Sequence, residues 1–245
     1  MRLIIPTFLL PFLALSILLA AEPTSDTAKP RYEYRADHDP HGTGKFYMGR
    51  EIALVMGHQA AGWLDRPERE REEQPSKLLE LLKIPPGAVV ADIGSGSGYH
   101  TLRLAQIVGP RGKVYGVDVQ KEMLALLRRK AEAGNYDNII PILGTPTDPK
   151  LPANALDLIL MVDVYHEFSH PYEMIRAMIP ALKANGRLVF VEFRLEDTEV
   201  PIKRVHKMSE RQVLKEMRPH PELVWDKTLA DLPWQHVILF HKKAD

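Results

Sequence analysis

Cysteine is absent from this 245-residue chain. That excludes disulfides, cysteine-ligated zinc and thiol catalysis together. Neither sign of charge is in surplus: 32 Lys and Arg balance 32 Asp and Glu, so no basic footprint for nucleic acid is present and none is expected as a partner. Low-complexity tracts and internal repeats are missing as well. A long uncharged run occurs once, at the amino terminus, where Leu3–Leu19 follows Arg2 and Ala20-Ala21 precede Glu22. This is the pattern of a secretory signal over residues 1–21, and it predicts export, to the periplasm in a bacterium. The stretch is at the short limit for a span and is interrupted by Pro6 and Pro11; the alternative is an uncleaved membrane anchor through residues 3–21. Residues 22–36, polar and carrying Pro23 and Pro30, read as a linker.

What remains is 45% hydrophobic over the chain, enough for one sizeable α/β domain. Residues 37–83 read as a helical extension. Ile52, Val55, Met56 and Ala60 follow a helical period between Gly49 and Leu64. A second helix is expected from Pro67, with Asp65 as N-cap, through a solvated face at Glu68–Glu73 and on to Leu78, Leu79 and Leu82, broken at Pro75. From residue 84 to 243 strands and helices alternate. Strands are expected at 88–93, 113–118, 139–143, 156–163, 187–193, 222–226 and 235–241. Helices are expected at 98–108, 120–133, 171–184 and about 208–218. Such alternation implies a parallel sheet with right-handed crossovers, and the short Thr228–Pro233 connection implies an antiparallel final pair.

The most informative stretch is Val89–Tyr99. An apolar β-branched run ends in Asp92, glycines follow at 94, 96 and 98, and a helical pattern opens at once. Strand, glycine turn and helix form the layout that holds a nucleotide-like ligand at a sheet edge, because backbone must take unusual φ values and lie against the ligand without a Cβ between. The spacing is G-x-G-x-G, one residue short of the dinucleotide pattern, which disfavours a NAD-linked oxidoreductase. With Asp92 it makes D-x-G-x-G-x-G, which resembles motif I of the class I S-adenosylmethionine (SAM)-dependent methyltransferases. The resemblance implies a Rossmann-like sheet of seven mostly parallel strands with helices on both faces. It implies SAM as cofactor, with Gly94, Ser95, Gly96 and Gly98 under its methionine portion and Asp92 holding the loop or the amino group. Asp118, 20 residues beyond Gly98 at the end of an apolar strand and followed by Val119, matches the acid that accepts from the ribose hydroxyls. Relatives place a Gly-Asp pair against adenine; here Gly144 is followed by Thr145, with Asp148 three residues later, and either is a candidate contact.

His166-Glu167-Phe168-Ser169-His170 matches the H-E-x-x-H zinc-peptidase pattern. That chemistry needs both histidines on one continuing helix, and Pro171 with the apolar run at 156–164 argues for a strand-to-helix loop instead. His38 and His41 are supported as a pair by spacing alone, and no metal site is expected. Asp163, Tyr165 and His166 leave the carboxyl end of a central strand, and the loop resembles the D-x-Y-H loop of small-molecule methyltransferases. That resemblance puts the methyl-acceptor pocket there, with Asp163, Tyr165 and His166 as the catalytic candidates and His166 as general base, since imidazole titrates near neutrality. Tyr47, His58 and Trp63 are candidate lid or acceptor-covering residues. With Gly49–Ile52, Met56–Gln59, Val162–Phe168 and His206–Ser209, the mature chain resembles a bacterial group of predicted exported methyltransferases, a likeness silent on which small molecule is the acceptor. A protein that binds SAM without transferring methyl would carry the same cofactor residues.

Overall fold

The computed structural model describes residues 30–244, so the signal at 1–21 and residues 22–29 of the linker lie outside the described residues. Strands stand where the end of the linker and the start of a helical extension were expected. β1 (Tyr32–Tyr34), β2 (Gly42–Tyr47) and β3 (Arg50–Ala53) form an antiparallel sheet in that order. A two-residue hairpin decides it: Met48 and Gly49 have φ of 48° and 88°, and Tyr47 pairs with Arg50. Two adjacent positive φ values are what a type I′ turn requires. Glu51 then reaches across the sheet and accepts the N–H of Gly44 at 2.9 Å and of Asp39 at 3.0 Å. The helical spacing at 52–60 was therefore accidental: Ile52 is core in a strand, while Val55 is exposed in an irregular segment.

Three short helices follow, α1 (Ala61–Leu64), α2 (Arg69–Glu72) and α3 (Pro75–Leu82). Asp65 closes α1 instead of capping the next helix, and its carboxylate accepts from Ser97 Oγ at 3.0 Å and Lys130 Nζ at 2.6 Å. The break at Pro75 is present. Gln74 sits at φ 51°, Pro75 opens α3, and Leu78, Leu79 and Leu82 are buried.

The alternating region gives β4 (Val89–Ile93), α4 (Tyr99–Val108), β5 (Lys113–Asp118), α5 (Lys121–Ala133), β6 (Ile139–Leu143), β7 (Leu156–Val162), α6 (Pro171–Met178), β8 (Leu182–Phe193), α7 (Glu210–Met217), β9 (Leu223–Leu229) and β10 (Gln235–Lys242). The sheet runs β6-β5-β4-β7-β8-β10-β9, with β10 antiparallel to both neighbours and the other pairs parallel. This is the expected seven-stranded, Rossmann-like sheet. Central strands bury both faces: Val90, Leu158 and Val189 enter one core, Ala91, Ile159 and Phe190 the other. Helix α6 stops earlier than expected because Pro180 cannot continue it; a 3-10 turn at Ile179–Ala181 leads into a longer β8. Strand order reverses between β4 and β7, and in open parallel sheets the crevice beyond the strand ends at such a point receives ligands.

Candidate functional site

Over the carboxyl ends of β4, β5 and β7 lies a cavity of about 560 Å³. Its floor is the glycine loop. Gly94 and Ser95 donate their N–H groups to Val117 O, which draws the chain tightly off β4. Gly94 (φ 70°) and Gly96 (φ 53°) occupy left-handed backbone. A Cβ at Gly94 would meet Val164 Cγ2 at 2.3 Å, and one at Gly96 would meet Leu64 Cδ1 at 2.6 Å. Asp118 fixes the loop from the neighbouring strand: Oδ2 accepts Gly96 N–H at 2.9 Å and Oδ1 accepts Gln120 N–H at 2.8 Å. Burial raises its pKa, and these backbone donors work against the rise. Each oxygen uses one acceptor position here and keeps a second for a ligand hydroxyl.

The extension forms one wall. Val55, Met56, Trp63, Leu64 and Arg69 line the cavity. Gln120 bridges the wall to β5, donating to Met56 O at 2.9 Å and accepting His58 N–H at 2.9 Å. Residues 68–73 are solvated on one side only: Glu68, Glu70 and Arg71 are exposed, while Arg69 and Glu73 turn inward. Arg69 and Glu73 are 3% and 2% exposed, and their i,i+4 bond is 2.5 Å. Arg69 lies over the Tyr99 ring and comes within 3.9 Å of Asp163 Oδ2. Asp163 has φ 51°; Oδ2 accepts from Gln235 Nε2 at 2.6 Å, and Oδ1 is buried without a partner among the described residues. Burial first, then Glu73 and Glu192, raise its pKa well above the carboxylate range.

At the far end stand His166, Glu167 and His206. His166 is 2% exposed, with Nδ1 2.6 Å from Glu192 Oε2 in β8. Burial lowers its pKa, but the charge and hydrogen bond of Glu192 outweigh that and leave it raised. Burial brings Glu167 to about 7, opposed by His166, and lowers His206 to about 4. Sequence reasoning passes over Arg69, which sits in a charge run that reads as surface. Glu192, 22 residues beyond His170, could be named from the sequence only as a third ligand of the H-E-x-x-H pattern and is set aside there because it lies inside a strand, where its inward aim depends on β8 pairing.

The profile of a family described as a methyltransferase domain matches residues 84–236, more than half of the chain. The chain belongs to this methyltransferase family. Among curated relatives it is 32% identical over 116 residues to the ubiquinone/menaquinone biosynthesis C-methyltransferase UbiE of Ectopseudomonas mendocina, covering 47% of this chain and 45% of that one. It is 39% identical over 70 residues to a protein-L-isoaspartate O-methyltransferase of Methanothrix thermoacetophila, covering 29% and 33%. The match thus spans at most about half of these relatives. A solved SAM-dependent methyltransferase from Aquifex aeolicus shares the fold with a TM-score of 0.72 at 23% identity, covering 77% of this chain and all of that one.

Membership and fold imply SAM as cofactor of the methyltransferase domain. The residues present fit it: a floor that a Cβ would disrupt, a buried carboxylate with spare acceptor capacity, and an unpartnered Asp163 Oδ1 at the cavity wall. Of the expected cofactor residues, Gly94, Gly96, Asp118, Val119, Thr145 and Asp163 line the cavity. Asp92, Ser95, Gly98 and Asp148 stand outside that lining. Asp92 braces α4 by accepting from Thr101 Oγ1 at 2.6 Å, and Gly98 is the N-cap residue of α4. Asp148 accepts Lys150 N–H at 2.7 Å in its own turn, which leaves Thr145 as the residue of the pair that reaches the cavity. Tyr165 is fully buried and donates to Glu216 Oε2 at 2.8 Å, so it supports the loop and is no catalytic group. Tyr47 is likewise core, 1% exposed, its hydroxyl pushed by burial to about 12. Of the three lid candidates Trp63 alone lines the cavity; His58 contributes its backbone. His170 bonds with Ser169 Oγ and does not join His166, as the loop setting required.

Proposed function

We propose that this chain is an exported SAM-dependent methyltransferase acting on a small, largely apolar acceptor with an ionisable hydroxyl or carbon acid. One observation carries the reading: a single cavity joins the Gly94–Gly96 floor and Asp118 to the His166–Glu192 pair. Bound SAM supplies an electrophilic methyl group on a sulfonium. Asp118 would accept hydrogen bonds from the ribose hydroxyls with its free lone pairs, and the glycine floor would admit close backbone approach. Val55, Met56 and Trp63 give the cavity an apolar wall. Glu192 holds His166 Nδ1–H and so leaves the Nε2 lone pair facing the cavity as the base for the acceptor proton. The printed activities of the two relatives are a C- and an O-methyl transfer, and of these the transfer to carbon needs an acceptor proton removed. Export rests on residues 1–21; an uncleaved segment would hold the enzyme at a membrane instead.

The test is labelled-SAM transfer by the full chain into small molecules of an envelope extract. His166→Asn is expected to cut turnover by about 100-fold or more while SAM affinity stays nearly unchanged. Equal loss of both would make His166 structural. SAM binding with no transfer to any extract fraction would favour the binding-protein reading, and tight binding of NAD alone would overturn the assignment.

A further inference from the structure

We propose that His166, Glu167 and His206 form a site for one divalent first-row transition ion, of which zinc is the best fit, with its remaining positions open to the cavity. The three side chains each present one donor atom, and these lie within 4.8 Å of one another. Glu167 Oε1 is 4.0 Å from His166 Nε2 and 4.0 Å from His206 Nδ1, too far for a hydrogen bond in either case. Among the described residues, neither His166 Nε2 nor the His206 ring makes another hydrogen bond. Three donors thus converge without satisfying each other, and contraction by a few tenths of an ångström on each side brings them to ligand distances of about 2.0–2.2 Å around one ion.

The surroundings suit such an ion. Two imidazoles and one carboxylate form the set that zinc uses where it keeps an open position, whereas magnesium and calcium prefer oxygen throughout. Glu192 Oε2 on His166 Nδ1 at 2.6 Å supplies the carboxylate–histidine brace that fixes a ligand's tautomer and raises its basicity. Glu192 Oε1 is held in turn by Tyr165 N–H at 2.9 Å, and Glu167 Oε1 by Met56 N–H at 3.1 Å. The nearby cation Lys203 has its Nζ 3.3 Å from His41 Nδ1. All three ligands line the same cavity, which gives an ion access. The sequence pattern H-E-x-x-H therefore contributes its first two residues, with His206, 40 positions on, in place of His170.

The ion's role rests on the methyltransferase reading: it would take the acceptor oxygen as a further ligand and lower its pKa, the O–H proton passing to solvent water, with His166 a ligand in place of the base. His166→Asn harms activity under either arrangement, so the deciding readout is metal binding. The tag-free full chain, stripped with EDTA, is titrated with Zn²⁺ by calorimetry and with Co²⁺ by visible absorption, and SAM affinity is measured on the same sample. One ion per chain is expected, with Co²⁺ bands of low-coordinate nitrogen–oxygen ligation. His206→Ala, at a partly exposed position, and Glu192→Gln should each weaken Zn²⁺ by about 10–100-fold. The distant His241→Ala should leave it unchanged. Absence of Zn²⁺ binding at about 100 µM, or one-ion binding indifferent to His206→Ala, overturns the site. SAM binding without Zn²⁺ sinks this inference alone; Zn²⁺ without SAM sinks the methyltransferase reading and leaves the site standing.

Discussion

Asp92 carries the largest electrostatic cost in the glycine motif. Burial pushes its pKa to about 7, and the Thr101 hydrogen bond offsets this in part. An unfolded aspartate ionises near 3.8, so below that pH both states are protonated and nothing is lost. Between there and about 7 the folded chain binds more protons, and stability falls as pH rises, by about 4 kcal/mol at most. Asp92→Asn keeps an acceptor for Thr101 and removes the charge. Its melting temperature is expected to gain on the parent's from pH 4 to about 7 and then level off; a flat difference across that range would refute the assignment. Asp118→Ala is expected to weaken SAM by at least about tenfold in calorimetry, since it frees Gly96 as well as removing the ribose acceptor. Both aspartates were legible in the sequence because each ends an apolar strand at a fixed offset from the glycines. That Asp118 faces the cavity followed from the motif register; that Asp92 turns to α4 did not, because strand-end carboxylates look alike until the sheet order fixes what stands beside them.

At the scale of elements, β3 is fastened to α7 by a buried ion pair. Arg50 Nε and Nη2 donate to Glu216 at 2.8 and 3.0 Å, Gln212 and Tyr165 donate to the same carboxylate, and Arg50 Nη1 donates to His166 O at 3.0 Å. Arg50→Ala leaves Glu216 charged, buried and short of its partner, which costs about 3–5 kcal/mol in denaturant unfolding. Arg50→Met combined with Glu216→Leu should cost clearly less than Arg50→Ala, and equal losses would show that the pair is not the fastening. Such cross-element ties are invisible in one dimension. Elements from residue 84 onward were legible because their apolar runs and helical spacings each choose one period. The strands at 32–53 were not, because they are short, the first falls in a polar Pro-flanked stretch, and the apolar spacing after Gly49 mimics a helix.

For the whole molecule, cavity formation by the extension and the sheet together makes ligand binding a global event. SAM at about 100 times its dissociation constant should add about 2.7 kcal/mol, a rise in melting temperature of roughly 5–10 °C for a chain of this size. Trp63, on the cavity wall and 42% exposed, should report the same binding by a fluorescence change that Trp63→Phe abolishes. A signal unchanged in that variant would place the ligand away from the extension. The contact of Leu64 with Gly96 has a further consequence. The unit of inheritance at 84–236 and the unit of work differ. A fragment trimmed to the family boundaries would forfeit a flank of its own binding chamber along with Phe240 of β10, and grafting a foreign amino-terminal segment onto that fragment should change which guest molecules it admits.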